Sequence, residues 1–415
     1  MSSTSLSRTA VGRRAGFAQG LLLLLGSCMP VMGSVLITPV LPQLSEHFAA
    51  APGVEILVPM IVALPALMIA VFAPVAGQIA DRVGRKRLLV AALFVYAVVG
   101  TVPAWLDDLG GILASRALVG LTEAAIMTVC TTLIIDYFQG ERRAKVIGLQ
   151  TVATTIGATL FIAIGGALGA GGWHAPFWVY SASILIAVPM LFVLWEPTAE
   201  ERMLGENAGT RVRIPWRRIA TALVVTVFAG FSFYVVILEV SYLVVAAGVP
   251  AERTGVIGGV SAVASLATAI GGLLFTRISK LGPGRLLPLA LFAQAVGMVV
   301  IWAVPSLAGV IAGAIIASFG SGMVLPSLFL WFIAHITPEV RGRVTGLVMT
   351  AFYLGQFVTP ILIGVLTGVV AGATGVAALS VAVGLVGVAA AIVGVAVAIG
   401  LRHGVRSTVA PSVAV

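Results

Sequence analysis

Apolar runs long enough to cross a bilayer recur along this chain from end to end, and that repetition limits the fold more than any motif does. A helix needs roughly 20 apolar residues to cross about 30 Å of hydrocarbon, and counting between polar breaks gives twelve such runs. They lie at about 17–40, 54–76, 88–106, 110–135, 144–168, 176–196, 218–246, 254–275, 286–305, 307–333, 343–368 and 374–400. Inside hydrocarbon the backbone must satisfy its own hydrogen bonds, which favours a helix for each run. The boundary of the last two, near "AGATG" at 371–375, is the least marked. The expected fold class is an all-α membrane protein. With 60% of residues hydrophobic and only 9% charged, a soluble globular domain is excluded. The first run follows Arg8, Arg13 and Arg14 as a signal peptide would, but it is too long and too often repeated for one.

Lysine and arginine resist translocation, so the loops that hold them stay in the cytoplasm. With the amino terminus inside, all but two of the 24 Lys and Arg residues fall in the even-numbered connections and the two tails; the exceptions are Arg253 and Arg116. The outer loops hold Glu46, Glu55, Asp107, Asp108 and Glu252 instead. This predicts a multi-pass protein of the bacterial inner membrane with both termini cytoplasmic. The net charge of +9 then reflects topology, and there is no basic domain for nucleic acid. Cys28 and Cys130 both fall within spans, so neither a disulfide framework nor a metal-ligand spacing exists. No GxxxxGK[ST] loop appears, and no segment is long enough to house a nucleotidase domain. Neither metal, cofactor nor enzyme activity is expected, and any movement of solute must draw on a gradient.

The chain is internally duplicated. Residues 143–166, "RAKVIGLQTVATTIGATLFIAIGG", overlie 341–364, "RGRVTGLVMTAFYLGQFVTPILIG", at an offset of 198 that pairs Gly148 with Gly346, Gly157 with Gly355 and Gly166 with Gly364. The same offset pairs Arg87 with Arg285, and an offset of 195 pairs Gly77 with Gly272 and Arg82 with Arg277. Two six-helix halves follow, 1–196 and 218–415, joined by a polar cytoplasmic linker at 197–217.

Between the second and third spans stands "GQIADRVGRKR", residues 77–87. Together with the duplication and the basic central loop, it resembles the major facilitator superfamily. The signature of that family there, G-x-x-x-D-R-x-G-R-[RK]-[RK], is matched by Gly77, Asp81, Arg82, Gly84, Arg85, Lys86 and Arg87. The resemblance implies two pseudo-symmetric bundles that rock around a central cavity. It also implies that Asp81 faces helix 11 across the halves and that Arg85 pairs with Asp136, forming a latch that holds the halves together when the protein opens outward. Gly77 would allow a close helix approach and Gly84 a tight turn. Lys86 and Arg87 fit plain topogenic charge, whereas an acid inside the cluster is not needed for topology. Features similar to the twelve-helix drug:proton antiporter branch are Gly148, Gly157, Gly165 and Gly166 on helix 5, Gly346, Gly355 and Pro360 on helix 11, and "RALVGLTEAA" with Arg116 and Gly120 on helix 4. The central Gly-Pro of that branch's helix 5 motif is replaced by Phe161 and Ile162, which weakens the inference of direction.

A charge inside the membrane is costly and marks a cavity or a partner. The candidates are Arg116, Glu123 and Glu239. Arg116 and Glu123 share a face of helix 4 but are separated by about 10 Å along its axis, which favours substrate, water or a third residue between them over a self-neutralising pair. Glu123 is the expected proton-coupling residue; Glu239 is either solvated near the outer surface or part of the cavity. Tyr234, Tyr242, Phe329, Trp331 and Phe332 are candidate aromatic walls or simple packing, and His335 is expected at the interface. His47, His174 and His403 receive no role. The sequence reads as a proton-coupled secondary active transporter that exports amphipathic or lipophilic organic compounds. Its partners are a small-molecule substrate, protons and the lipid bilayer, and it works as a monomer. The alternatives are an uptake symporter for an organic anion anchored by Arg116, and a non-transporting receptor or scaffold.

The charge asymmetry predicts that, in a version lacking Cys28 and Cys130, an impermeant maleimide applied to whole cells labels a cysteine at Ala50 and not one at Ala208. Equal labelling of both refutes the orientation.

Overall fold

The computed structural model describes residues 15–197, 216–333, 341–374 and 377–408. Among them there is no strand, and twelve helices are long and apolar enough to span a membrane. They are α1 (Phe17–His47), α2 (Val54–Val83), α3 (Arg85–Trp105), α4 (Leu109–Tyr137), α5 (Gly140–Gly169), α6 (Ala175–Val193), α7 (Ile219–Ala246), α8 (Thr254–Leu281), α9 (Gly284–Ala303), α10 (Leu307–Phe332), α11 (Arg343–Ala371) and α12 (Ala378–Gly400). Several helices outrun their hydrophobic stretch. The α2 helix carries Asp81 and Arg82 on its last turn, and the helical turn from Trp216 that leads into α7 claims residues expected in the linker. The rest of that linker, 198–215, and His335 lie outside the described residues.

The helices pack as the duplication requires. In the first half α2 and α3 lie against α4, α1 against α4 and α5, and α3 against α6. In the second half α8 and α9 lie against α10, α7 against α10 and α11, and α9 against α12. The halves meet where α5 packs on α8 and α2 on α11. At the α5–α8 seam the helices touch through glycine: a Cβ on Gly166 would sit 2.8 Å from the Cα of Gly258. Gly165 abuts the carbonyl of Leu36, Gly157 lies against Cys28, and Gly355 lies against the backbone of α7 at Val227 and Phe231. At Gly165, Gly166 and Gly355 backbones approach more closely than a side chain permits, whereas Gly157 meets only the Cys28 side chain, at 3.3 Å. Gly148 and Gly346 do not, since a Cβ on either would meet nothing within 4 Å. Gly77 also departs from expectation: its Cβ would make an ordinary 3.8 Å contact with Thr128, and the close approach of α4 to α2 occurs instead at Gly120, against the backbone of Pro65. Pro360 is buried within a helix that continues past it.

The first span is interrupted. Its α-helix runs from Phe17 to Val35 with Pro30 inside it, a 3-10 turn occupies Thr38–Val40, and a short helix ends at His47. Because Pro39 has no N–H, the Val35 carbonyl loses its helical donor; the Thr38 hydroxyl donates to it at 2.8 Å.

At the carboxyl-terminal end of α2, Gly84 adopts φ +107°, which a side chain would resist, and turns the chain directly into α3. Arg85, 5% exposed, donates to the carboxylates of Asp136 and, at 3.0 Å, Asp81. The end of the first half adds a residue not anticipated: Glu196 accepts from the backbone N–H groups of Arg85 and Lys86 at 2.6 and 3.1 Å, so its charge caps the start of α3. Arg82 is exposed on the same turn. Removing one partner from a buried ion pair leaves the other charge stranded, at a cost of about 3–5 kcal/mol. Arg85→Ala and Asp136→Ala are therefore each expected to lower the detergent melting temperature, whereas the double variant falls no further than the worse single one. Additive losses would refute a shared pair.

Candidate substrate cavity and buried acid

Between the halves lies a cavity of about 430 Å³. The first half contributes Ser27, Ser34 and Val35 from α1, Met127 and Thr131 from α4, and Gln150, Thr151, Thr154 and Thr155 from α5. The second contributes Phe233 and Tyr234 from α7, Ser261, Ser265 and Thr268 from α8, Ser318 and Leu325 from α10, and Phe352, Tyr353 and Gln356 from α11. No Asp, Glu, Lys, Arg or His is among the lining residues. The cavity is hydroxyl-rich, partly aromatic and uncharged.

Of the residues expected in a cavity, Tyr234 alone lines it. Phe329, Trp331 and Phe332 pack instead in a cluster with Ile219 and Val344. Tyr242 hydrogen-bonds Ser45 at 3.0 Å, tying the carboxyl-terminal end of α7 to that of α1. Glu239 is 4% exposed, so the solvated reading is wrong for this conformation, yet it does not border the cavity.

Arg116 is also displaced from its expected place. It is fully buried, donates to the Tyr180 hydroxyl at 2.9 Å and the Gly100 carbonyl at 3.1 Å, and lies over the Tyr180 and Phe177 rings. Its guanidinium is thus spent on α3 and α6, because the face of α4 that holds it turns into the first half's own core. The organic-anion anchor has no place in this arrangement.

Glu123 occupies a chamber of its own, built around the break in α1. Three tyrosines from three other helices serve the backbone there. Tyr96 donates to Met29 O at 2.6 Å, Tyr180 to Gly33 O at 3.3 Å, and Tyr234, reaching across the halves, to Val62 O at 2.9 Å and Ser34 O at 3.4 Å. The Glu123 carboxyl fills the space that a side chain on Gly33 would take, with the Tyr96 hydroxyl beside it. The phenols of Tyr96, Tyr180 and Tyr234 already donate to carbonyls, and among the described residues neither carboxyl oxygen has a hydrogen-bond partner. A carboxylate enclosed in this way costs several kcal/mol, whereas a bound proton removes the charge.

The second half carries the same positions in another form. At the 198-residue offset, which holds from Arg87 onward, Tyr96 and Glu123 become Gln294 and Ser321, and Ser232 of α7 lies beside Gln294. All three are buried and mutually satisfied: Ser232 donates to Gln294 Oε1 at 2.9 Å, and Gln294 Nε2 donates to Ser321 Oγ at 2.8 Å. Where the second half is neutral and closed, the first holds an acid without a donor.

Sequence reasoning missed both the α5 stripe and the chamber. Gln150, Thr151, Thr154 and Thr155 recur at helical spacing, a signal present in "LQTVATT". Gly33 had no such signal, because what makes it matter is a side chain distant in sequence.

The comparisons with known proteins agree with this architecture. A sequence model described as Major Facilitator Superfamily matches residues 23–360. The chain is 26% identical over 355 residues to the uncharacterized MFS-type transporter YceJ of Bacillus subtilis (strain 168), covering 82% of this chain and 87% of that one. It is 25% identical over 352 residues to Multidrug resistance protein 2 of the same organism, with 78% and 87% covered. The class C tetracycline resistance protein of Escherichia coli is 32% identical over 191 residues, a match spanning 44% of this chain and under half, 46%, of that relative. Among solved structures, a bacterial homologue of the human lysosomal transporter Spinster, inward-facing and occupied, superposes with TM-score 0.74 at 18% identity over 93% of this chain and 96% of that one. A D-xylose-proton symporter superposes with TM-score 0.73 at 15% identity over 91% and 97%. With its signature, its duplicated twelve-helix fold and a family match over most of its length, the chain belongs to the Major Facilitator Superfamily and is a membrane transporter of small molecules rather than an enzyme.

Proposed function

We propose that this transporter exports uncharged amphipathic organic compounds across the bacterial inner membrane in exchange for protons, as a monomer with both termini in the cytoplasm. The observation that carries the coupling is the Glu123 carboxyl, enclosed without a donor beside a cavity that holds no charge. Export is supported by the printed names of the relatives, which include tetracycline and multidrug resistance proteins and a bacillibactin exporter. Orientation is supported by the distribution of Lys and Arg.

In this reading the enclosed Glu123 holds a proton. Rocking of the halves pulls Tyr234 on α7 away from Ser34 and Val62, loosens the α1 break and opens the chamber to the cavity, where the carboxyl releases its proton or takes one. Substrate and proton then use adjoining spaces on opposite sides of α1. The domains are the halves 1–196 and 218–415 with the linker at 197–217, and Asp81 with Arg85 and Asp136 forms the latch that engages the start of α11 in the outward-open state. Glu239, buried near the outer closure, is the competing proton site.

In proteoliposomes, Glu123→Gln is expected to keep exchange of substrate down its own gradient and to lose proton-driven accumulation, while Glu239→Gln keeps both. The reverse pattern transfers the role to Glu239, and accumulation by both variants refutes proton coupling through either acid. The Gly33 space gives a second expectation. Gly33→Ala drives a methyl group into the Glu123 carboxyl and abolishes coupling; adding Glu123→Asp, shorter by one methylene, recovers a measurable part of it. Wild-type coupling in Gly33→Ala shows that the carboxyl does not need that space.

A further inference from the structure

We infer that the cavity selects neutral molecules that carry hydrogen-bond donors along one edge and an apolar ring face on the other. This rests on the reading of the cavity as the transport site.

The duplication allows the two walls to be compared position by position. On α5, Gln150, Thr151, Thr154 and Thr155 border the cavity; their counterparts on α11 are Val348, Met349, Phe352 and Tyr353, of which the two aromatics border it too. One ancestral surface has thus become hydroxylated in the first half and aromatic in the second.

The hydroxylated wall has a polarity of its own. Thr154 donates to Gln150 O at 3.0 Å, Thr155 to Thr151 O at 2.7 Å and Thr151 to Ile147 O at 3.4 Å. On α1, Ser27 donates to Leu23 O at 2.7 Å and Ser34 to Pro30 O at 3.2 Å. A hydroxyl has one proton and two lone pairs; with the proton given to its own helix, it offers lone pairs to whatever enters. Gln150 spends its amide N–H groups on the oxygens of Ser27 and Thr131, at 2.8 and 3.2 Å, so its remaining capacity is a carbonyl acceptor. On α8 Thr268 follows the pattern, donating to Ala264 O at 3.4 Å, whereas Ser265 accepts from Thr159 at 3.1 Å and keeps its own proton, as does Ser261, a buried hydroxyl without a partner among the described residues.

A ligand that meets the α1 and α5 face of this wall must supply the protons. A ligand rich only in acceptors would face lone pairs with lone pairs, and an ion would lose its hydration with no opposite charge among the lining residues. The opposite requirement comes from Phe233 and Phe352, which offer ring surface and no polar group. Neutral polyphenols and polyhydroxylated ring compounds meet both demands. Lipophilic cations and organic anions do not.

Binding to the purified, detergent-solubilised full chain tests this without a gradient, so the outcome is independent of direction and of proton coupling. The probes are catechin, its fully O-methylated ether, which keeps the ring face and the acceptors but has no donor, and tetraphenylphosphonium. Catechin is expected to bind about tenfold more tightly than the ether, the difference of one or two net hydrogen bonds. The double variant Thr154→Val, Thr155→Val should weaken catechin towards the ether and leave the ether unchanged; the conservative double change to Ser should retain catechin binding. Equal or weaker binding of catechin relative to the ether or to tetraphenylphosphonium, absence of saturable catechin binding, or a catechin affinity unmoved by the valine pair overturns the inference. If catechin ranks as expected while Glu123→Gln still accumulates substrate, the substrate class stands and the coupling assignment fails.

Discussion

A helix broken within a membrane span releases carbonyl groups that hydrocarbon cannot satisfy, and the first half of this protein is organised around that debt. The break in α1 between Val35 and Thr38 frees acceptors that must find donors from other helices. Tyr180 and Tyr234 bring them from α6 and α7, and Thr38 supplies one locally. Arg116 then holds the Tyr180 hydroxyl in place from α4. Three other helices are pinned to one irregular turn, one of them from the opposite half. Irregular backbone within a span is tolerable only where protein surrounds it, so the break fixes where the halves meet in this conformation.

That commitment of phenols explains the isolation of Glu123. The hydroxyls that could have hydrogen-bonded its carboxyl are the same ones that serve α1, and Gly33 supplies room without supplying a donor. Arg116, the nearby cation that sequence spacing suggests as partner, is occupied by Tyr180 and Gly100. The cavity between the halves is thereby lined without charge while Glu123 stays buried outside it.

Much of the architecture was legible in the sequence because membrane insertion leaves its physics there. Length and apolarity set twelve spans, Lys and Arg set their expected sidedness, and the constant offset exposed the duplication. The pairing of Arg85 with Asp136 was implied by resemblance and appears as a buried contact. The site was less legible for a definite reason. A charged residue in a span shows that something unusual surrounds it, but not which neighbour satisfies it. Arg116 and Glu123 share a face at heptad spacing, yet one turns into a web of phenols and carbonyls and the other into a gap left by glycine. Neither environment is local in sequence. The cavity wall, by contrast, consists of Ser, Thr and Gln, residues whose spacing was readable but whose modest polarity drew less attention than the charges.

Duplication also supplies an internal control that a single half could not. Both halves bury polar groups at the positions of residues 96 and 123 and at their counterparts 294 and 321. In the second half Ser232, Gln294 and Ser321 satisfy one another, and three helices are joined by a network that gains nothing from a change in protonation. In the first half Tyr96 has turned its hydroxyl to Met29, and Glu123 is left outside any network. If buried polarity here served only to hold helices together, the saturated version would serve equally well in both places. The first half instead retains a group whose burial is unfavourable when charged, at the one point where α1 is broken and α7 reaches across. An asymmetry of this kind suits a machine in which one half titrates and the other supplies a rigid counterpart to rock against.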